Sequence, residues 1–109
     1  AYTIGIFLLF SLTLHAQQQD SIMQVQYASA LKKLEANDLN DAILQFTQLI
    51  NSGFSNKEVF VKRGISYAKQ QQYDKARLDL DEAVKARINT AELFEYRGLA
   101  KYNLNDATG

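Results

Sequence analysis

One displacement dominates this chain. Glu58-x-Phe60-x-x-Arg63-Gly64 recurs as Glu92-x-Phe94-x-x-Arg97-Gly98, 34 residues on. The same shift backward sets Ala30 against Gly64, Leu31 against Ile65, Leu39 against Tyr73 and Ala42 against Ala76. It also sets Phe46 against Leu80, Leu49 against Ala83 and Ile50 against Val84. Three registers therefore start at Met23, Lys57 and Ala91 with no insertion between them. A short recurring unit cannot bury its apolar face alone, so neighbouring units must cover one another.

Within a unit the pattern is helical. Phe60, Gly64 and Tyr67 stand at i, i+4 and i+7, one face of a helix. A glycine in mid-helix costs about 1 kcal/mol relative to alanine, so Gly64 and Gly98 imply a second helix that approaches closely. Ala30 or Gly64 on a first helix would then face Ala42 or Ala76 on a second, with Phe60, Tyr67, Tyr73 and Leu80 filling the flanks. The pattern predicts helices over 20–36, 39–51, 57–70, 73–87 and 91–104. Gly53 is placed to take the left-handed conformation after the second helix. Asn56 and Thr90 are placed as N-caps, and Asn37-Asp38 and Asn105-Asp106 mark tight turns. No alternating strand pattern competes.

The period and these residue types resemble the tetratricopeptide repeat family over about residues 23–109. The small residue the family wants on the first helix is met by Ala30, Gly64 and Gly98. Its large apolar residue is met by Phe60 and Phe94, with Gln26 in the first unit. Its aromatic is met by Tyr67, with Lys33 and Lys101 elsewhere. On the second helix its alanine is met by Ala42 and Ala76, and its large apolar residue by Phe46 and Leu80. The family's usual proline is missing throughout. The resemblance implies an all-α, TPR-like α-solenoid of antiparallel helix pairs with about two and a half 34-residue repeats. The units are 23–56 (degenerate), 57–90 and 91–109 (truncated before its second helix).

The resemblance also implies where a ligand lies: in the concave groove lined by the first helices. The candidate groove residues are Tyr27, Leu31 and Leu34 in the first unit. They are Glu58, Val61 and Ile65 in the second, and Glu92, Glu95, Leu99 and Tyr102 in the third. Tyr27 and Tyr102 suit a contact surface, since a phenol is apolar along its ring and polar at its tip. Leu31, Ile65 and Leu99 serve equally to pack one repeat on the next. The clamp by which one subclass of the family grips a terminal carboxylate is not expected. Tyr27, Leu31, Glu92 and Tyr96 stand where its Lys, Asn and Arg would be needed.

The first sixteen residues are of another kind. No charge occurs before Asp20, and 4–14 form a nearly continuous apolar run. Eleven helical residues cover only about half of a ~30 Å hydrocarbon core, so the run matches the apolar core of a secretory signal peptide. Residues 1–16 are read as that leader, without its basic start, cleaved after Ala16. Residues 17–22 are a polar lead-in. The mature product is expected to be periplasmic or secreted, with no stable membrane insertion.

Composition removes most catalytic chemistry. The chain has no cysteine, hence no disulfide, no zinc–thiolate site and no thiol nucleophile. Its one histidine, His15, lies in the leader. Twelve basic residues balance twelve acidic ones, which gives no pull toward nucleic acid or an anionic membrane. The run Asp79-Leu80-Asp81-Glu82 reads as a solvent face, with Lys75 four residues before Asp79 and Lys85 four after Asp81. Arg63 and Arg97, at one register position, read as a structural contact or a repeated surface feature. No cofactor, metal or catalytic residue is expected. The leading expectation is a non-enzymatic, exported interaction scaffold that binds a protein or peptide through its groove. The alternative is the docking or sensory region of a larger signalling or enzymatic chain.

Overall fold

The computed structural model describes residues 2–105, with side chains from Gly5 onward. Five helices and, among the described residues, no strands make an all-α protein: α1 (Tyr2–Glu35), α2 (Leu39–Asn51), α3 (Glu58–Lys69), α4 (Tyr73–Lys85) and α5 (Ala91–Asn103). Four of these agree with the spans expected from the pattern to within two residues at either end. The first does not. The helix expected over 20–36 runs back to Tyr2 without a break, because neither proline nor a capping residue with a competing turn separates Ala16 from Asp20. Among the described residues, nothing covers the first half of the helix, where residues 5–20 are all exposed. Phe7, Leu8, Leu9, Phe10 and Leu12 are all exposed.

Every helix end shows the same device. Asn37, Gln71 and Asn105 have φ of 60°, 62° and 58°, and Gly53 and Arg87 have φ of 78° and 64°. These left-handed residues recur at the displacement of the sequence repeat. After α1, Asp38 N–H donates to Lys33 O and Asn37 N–H to Leu34 O; after α3, Gln72 N–H donates to Tyr67 O and Gln71 N–H to Ala68 O. After α2 and α4 the same bonds run from Phe54 to Leu49 and from Ile88 to Ala83. Each satisfies carbonyls that a helix end would otherwise leave open, the Schellman arrangement. Phe54, just past the left-handed glycine, folds back and is fully buried against α2. At the N-termini, Thr90 Oγ1 accepts from Leu93 N–H at 3.3 Å, and Asn56 Oδ1 accepts from Glu58 N–H at 3.0 Å. Asp106, the second residue of the last expected turn, lies outside the described residues, as do 107–109.

Each helix packs on its neighbours in sequence; α3 also touches α1 and α5, while α2 and α4 do not meet. So α1, α3 and α5 form one layer, and α2 and α4 the other. Three apolar clusters follow from this order. Tyr27, Ala30, Ala42, Phe46, Leu49, Phe54 and Val59 join α1, α2 and the start of α3. Val61, Ile65, Leu80, Ala83 and Leu93 join α3, α4 and α5. Ala68, Ala76 and Ala100 pack beneath Tyr67, Tyr73 and Tyr96. The close approach expected at Gly64 is present: a Cβ there would stand 2.9 Å from Leu80 Cδ2 and 3.3 Å from the Ala76 carbonyl oxygen. A larger residue at 64 would push α4 off α3.

Candidate functional site

Where α1, α3 and α5 lie side by side, their outward faces enclose an open depression of about 310 Å³. Leu31 and Leu34 from α1 and Ile65 from α3 make its apolar floor. Glu35, Lys62, Lys69, Glu92 and Tyr96 stand around it. Lys62 Nζ and Glu92 Oε2 close to 2.8 Å and tie α3 to α5 across one wall. Glu35 and Lys69 make no ion pair among the described residues, so the rim offers one free acid and one free base beside an apolar floor.

The ten residues expected to line a groove divide into three groups. Leu31, Leu34 and Glu92 line this depression, and Ile65 lies at its base but is 2% exposed and belongs to the core with Leu80, Ala83 and Leu93. Tyr27 and Val61 are core: Tyr27 is 7% exposed and packs against Phe46 and Phe54 with ring centroids 6.1 and 5.3 Å away. Burial, with the Glu58 and Glu92 charges nearby, pushes the Tyr27 phenol up to about 12. Its tyrosine character is therefore used for packing rather than contact. Glu58, Glu95, Leu99 and Tyr102 are exposed but stand outside the depression. Glu35, Lys62, Lys69 and Tyr96 belong to the depression and were not expected there. Their signal was available in part: Glu35 and Lys69 share one register position, as do Lys62 and Tyr96.

On the opposite side, the acidic run departs from the solvent-face reading. Asp79 is buried, and Arg63 grips it with two bonds of 2.7 Å, Nε to Oδ2 and a terminal nitrogen to Oδ1. Arg63 also donates to Thr47 Oγ1 of α2 at 3.1 Å and lies 5.8 Å from the Tyr67 ring centre. Lys75 does not reach Asp79; it stands over Tyr67. Lys85 pairs with Glu82 instead of Asp81. Asp81 is taken by Arg97 Nε at 2.8 Å, with Arg77 Nε at 3.8 Å. Same-helix pairs do form, Lys85 with Glu82 and Arg77 with Asp81, but the shortest bonds to Asp79 and Asp81 come from arginines on neighbouring helices. A planar guanidinium with five donors can bond two helices at once. Burial raises the Asp79 carboxyl above its ordinary range while the Arg63 bonds pull it back, and those same bonds hold the Arg63 guanidinium above its own. The pair is a clasp between α3 and α4, not a free acid.

Among the described residues no group of three or more His, Asp or Glu side chains is placed to hold a metal. No helix there is long and apolar enough to cross a membrane. Comparison with protein-family models, with curated proteins and with solved structures gives no match.

Proposed function

We propose that this chain is a tetratricopeptide-like repeat scaffold that binds a protein or peptide partner in the depression over α1, α3 and α5, without catalysis. The observation that carries the reading is the pairing of a periodic backbone with an apolar, part-charged groove. Left-handed residues recur at 37, 71 and 105 and at 53 and 87, and one layer of helices presents the half-buried Leu31 and Leu34 beside the free Glu35 and Lys69. Such a groove suits a helix or extended segment with apolar anchors flanked by both signs of charge. The exposed apolar run of α1 supports the further reading of residues 1–16 as an export leader, since it adds nothing to the core.

The binding claim is tested by capture from an envelope extract with the wild-type chain and with Leu31→Glu and Lys69→Glu. A partner held by the wild type and lost with either substitution supports the groove. Retention unaffected by both overturns it. Export is tested separately: the N-terminus of the secreted product should read from Gln17, and a product retaining Ala16 contradicts cleavage there.

A further inference from the structure

The rim of the depression over α1, α3 and α5 carries its charges unevenly. On one wall Lys62 and Glu92 neutralise each other at 2.8 Å. At the last turns of α1 and α3, Glu35 and Lys69 are both exposed, and neither has a charged partner among the described residues. These two hold one register position, 34 residues apart, with opposite sign. Elsewhere in the layer the repeat keeps its sign, since Glu58 and Glu92 also share a position. On α5 that rim position is Asn103, uncharged, whose amide donates to Leu99 O at 2.8 Å. The free edge is therefore one acid beside one base, on helices that touch and whose axes are spaced about 10 Å apart.

We propose that the depression takes an extended segment of another protein, in which one apolar side chain is flanked on the same side by a basic and an acidic residue. This rests on the groove reading above and names the chemistry of its partner. The apolar side chain seats on Leu31 and Leu34, the basic group pairs with Glu35, and the acidic group pairs with Lys69. At about 310 Å³ the space is at the small end of ligand pockets, so it holds a few side chains rather than the face of a helix. In an extended segment alternate residues point the same way, and residues i, i+2 and i+4 span about 13 Å. With flexible charged ends, that span bridges two neighbouring helices. A segment with two charges of one sign gains at one rim residue and is repelled at the other. A segment with both signs gains at each. Lys62 and Glu92 do not compete for it, because each already holds the other.

The probes are three capped peptides, Arg-Ser-Leu-Ser-Asp, Arg-Ser-Leu-Ser-Arg and Asp-Ser-Leu-Ser-Asp. Each is titrated into the isotopically labelled full chain, with the Leu31 and Leu34 methyls followed by NMR. The mixed peptide should bind about tenfold more tightly than either uniform one, the worth of an exposed ion pair gained and a like-charge contact avoided. Salt at about 1 M, where the screening length is about 3 Å, should remove that preference. Lys69→Glu leaves two acids on the rim and should switch the preference to the two-arginine peptide. Glu35→Lys leaves two bases and should switch it to the two-aspartate peptide. Both positions are exposed, and opposite switches are a result that misfolding cannot give. Equal binding of the three peptides, or a preference that neither substitution moves, overturns this proposal and leaves the groove as a site for apolar side chains alone. Failure of all three to bind overturns the groove reading together with it. A dimer of the chain that Lys69→Glu disperses overturns the proposal in favour of a second copy as occupant.

Discussion

Gly64 and Gly98 are the same amino acid at the same register, and they answer opposite demands. Gly64 has Leu80 and the Ala76 carbonyl against it, whereas Gly98 has open space. Alanine favours a helix interior by about 1 kcal/mol over glycine, so the substitution should change sign between the sites. Gly98→Ala should stabilise the chain by up to about 1 kcal/mol. Gly64→Ala should destabilise it by about 1–3 kcal/mol, the cost of an overpacked contact. Urea midpoints of the two variants check both signs. Tyr27 makes a second prediction at this scale. Its folded phenol is held up at about 12 against an ordinary value of 10.0. A raised folded pKa means that its contribution to stability is intact below pH 10 and is lost as pH climbs from 10 to 12. Wild type should therefore lose more stability across that window than Tyr27→Phe, as read from denaturation midpoints at each pH. The sequence marked Tyr27 as an aromatic on a first helix. It did not show that Phe46 and Phe54 enclose it, because both come from outside its own helix.

The helix ends belong to the next scale. Gly53 and Arg87 occupy the same left-handed position after α2 and α4, but only glycine takes that conformation without steric cost, which is roughly 1 kcal/mol for other residues. Arg87 is exposed there. Arg87→Gly should stabilise the chain by about 1 kcal/mol, and Gly53→Ala should destabilise it by a similar amount; thermal midpoints of the pair test the claim. Most of this scale was legible beforehand. Apolar spacing located α2 to α5, and Thr90, Asn56 and Gly53 act at the ends where their side chains or lack of one suggested. The side-chain ion pairs were not legible. Lys75 and Lys85 sit at helical spacing from Asp79 and Asp81, yet Arg63 and Arg97 take those carboxylates from neighbouring helices. Spacing along one helix says nothing about which helix lies beside it.

At the scale of the molecule, the core spans α1 from Met23 to the end of α5, and the opening half of α1 stands apart from it. Its described apolar side chains, from Ile6 to Leu14, are exposed, and the molecule has a 64 Å long axis against widths of 30 and 20 Å. Removing residues 1–16 should leave the unfolding free energy within about 0.5 kcal/mol of the intact chain, as for any change away from packed or paired groups. It should also suppress association, since the exposed apolar run is lost. Denaturation curves and sedimentation of the two forms check the two halves of this prediction; a large loss of stability would mean that the segment belongs to the fold.

What the sequence determined by itself was periodic and local. The 34-residue recurrence, the helical spacing of Phe60, Gly64 and Tyr67, and the turn residues at 37, 53 and 105 specify helices, their ends and their order. Those properties depend on residues within one or two turns of each other. Tertiary structure alone decided that Tyr27 and Val61 are core, that Asp79 is clasped by Arg63, and that Glu35, Lys62, Lys69 and Tyr96 surround the depression. It also decided that Gly64 is covered while Gly98 is open. Each of these depends on which side chain arrives from another helix, and burial and charge pairing are settled by that neighbour rather than by the residue's own position in its repeat.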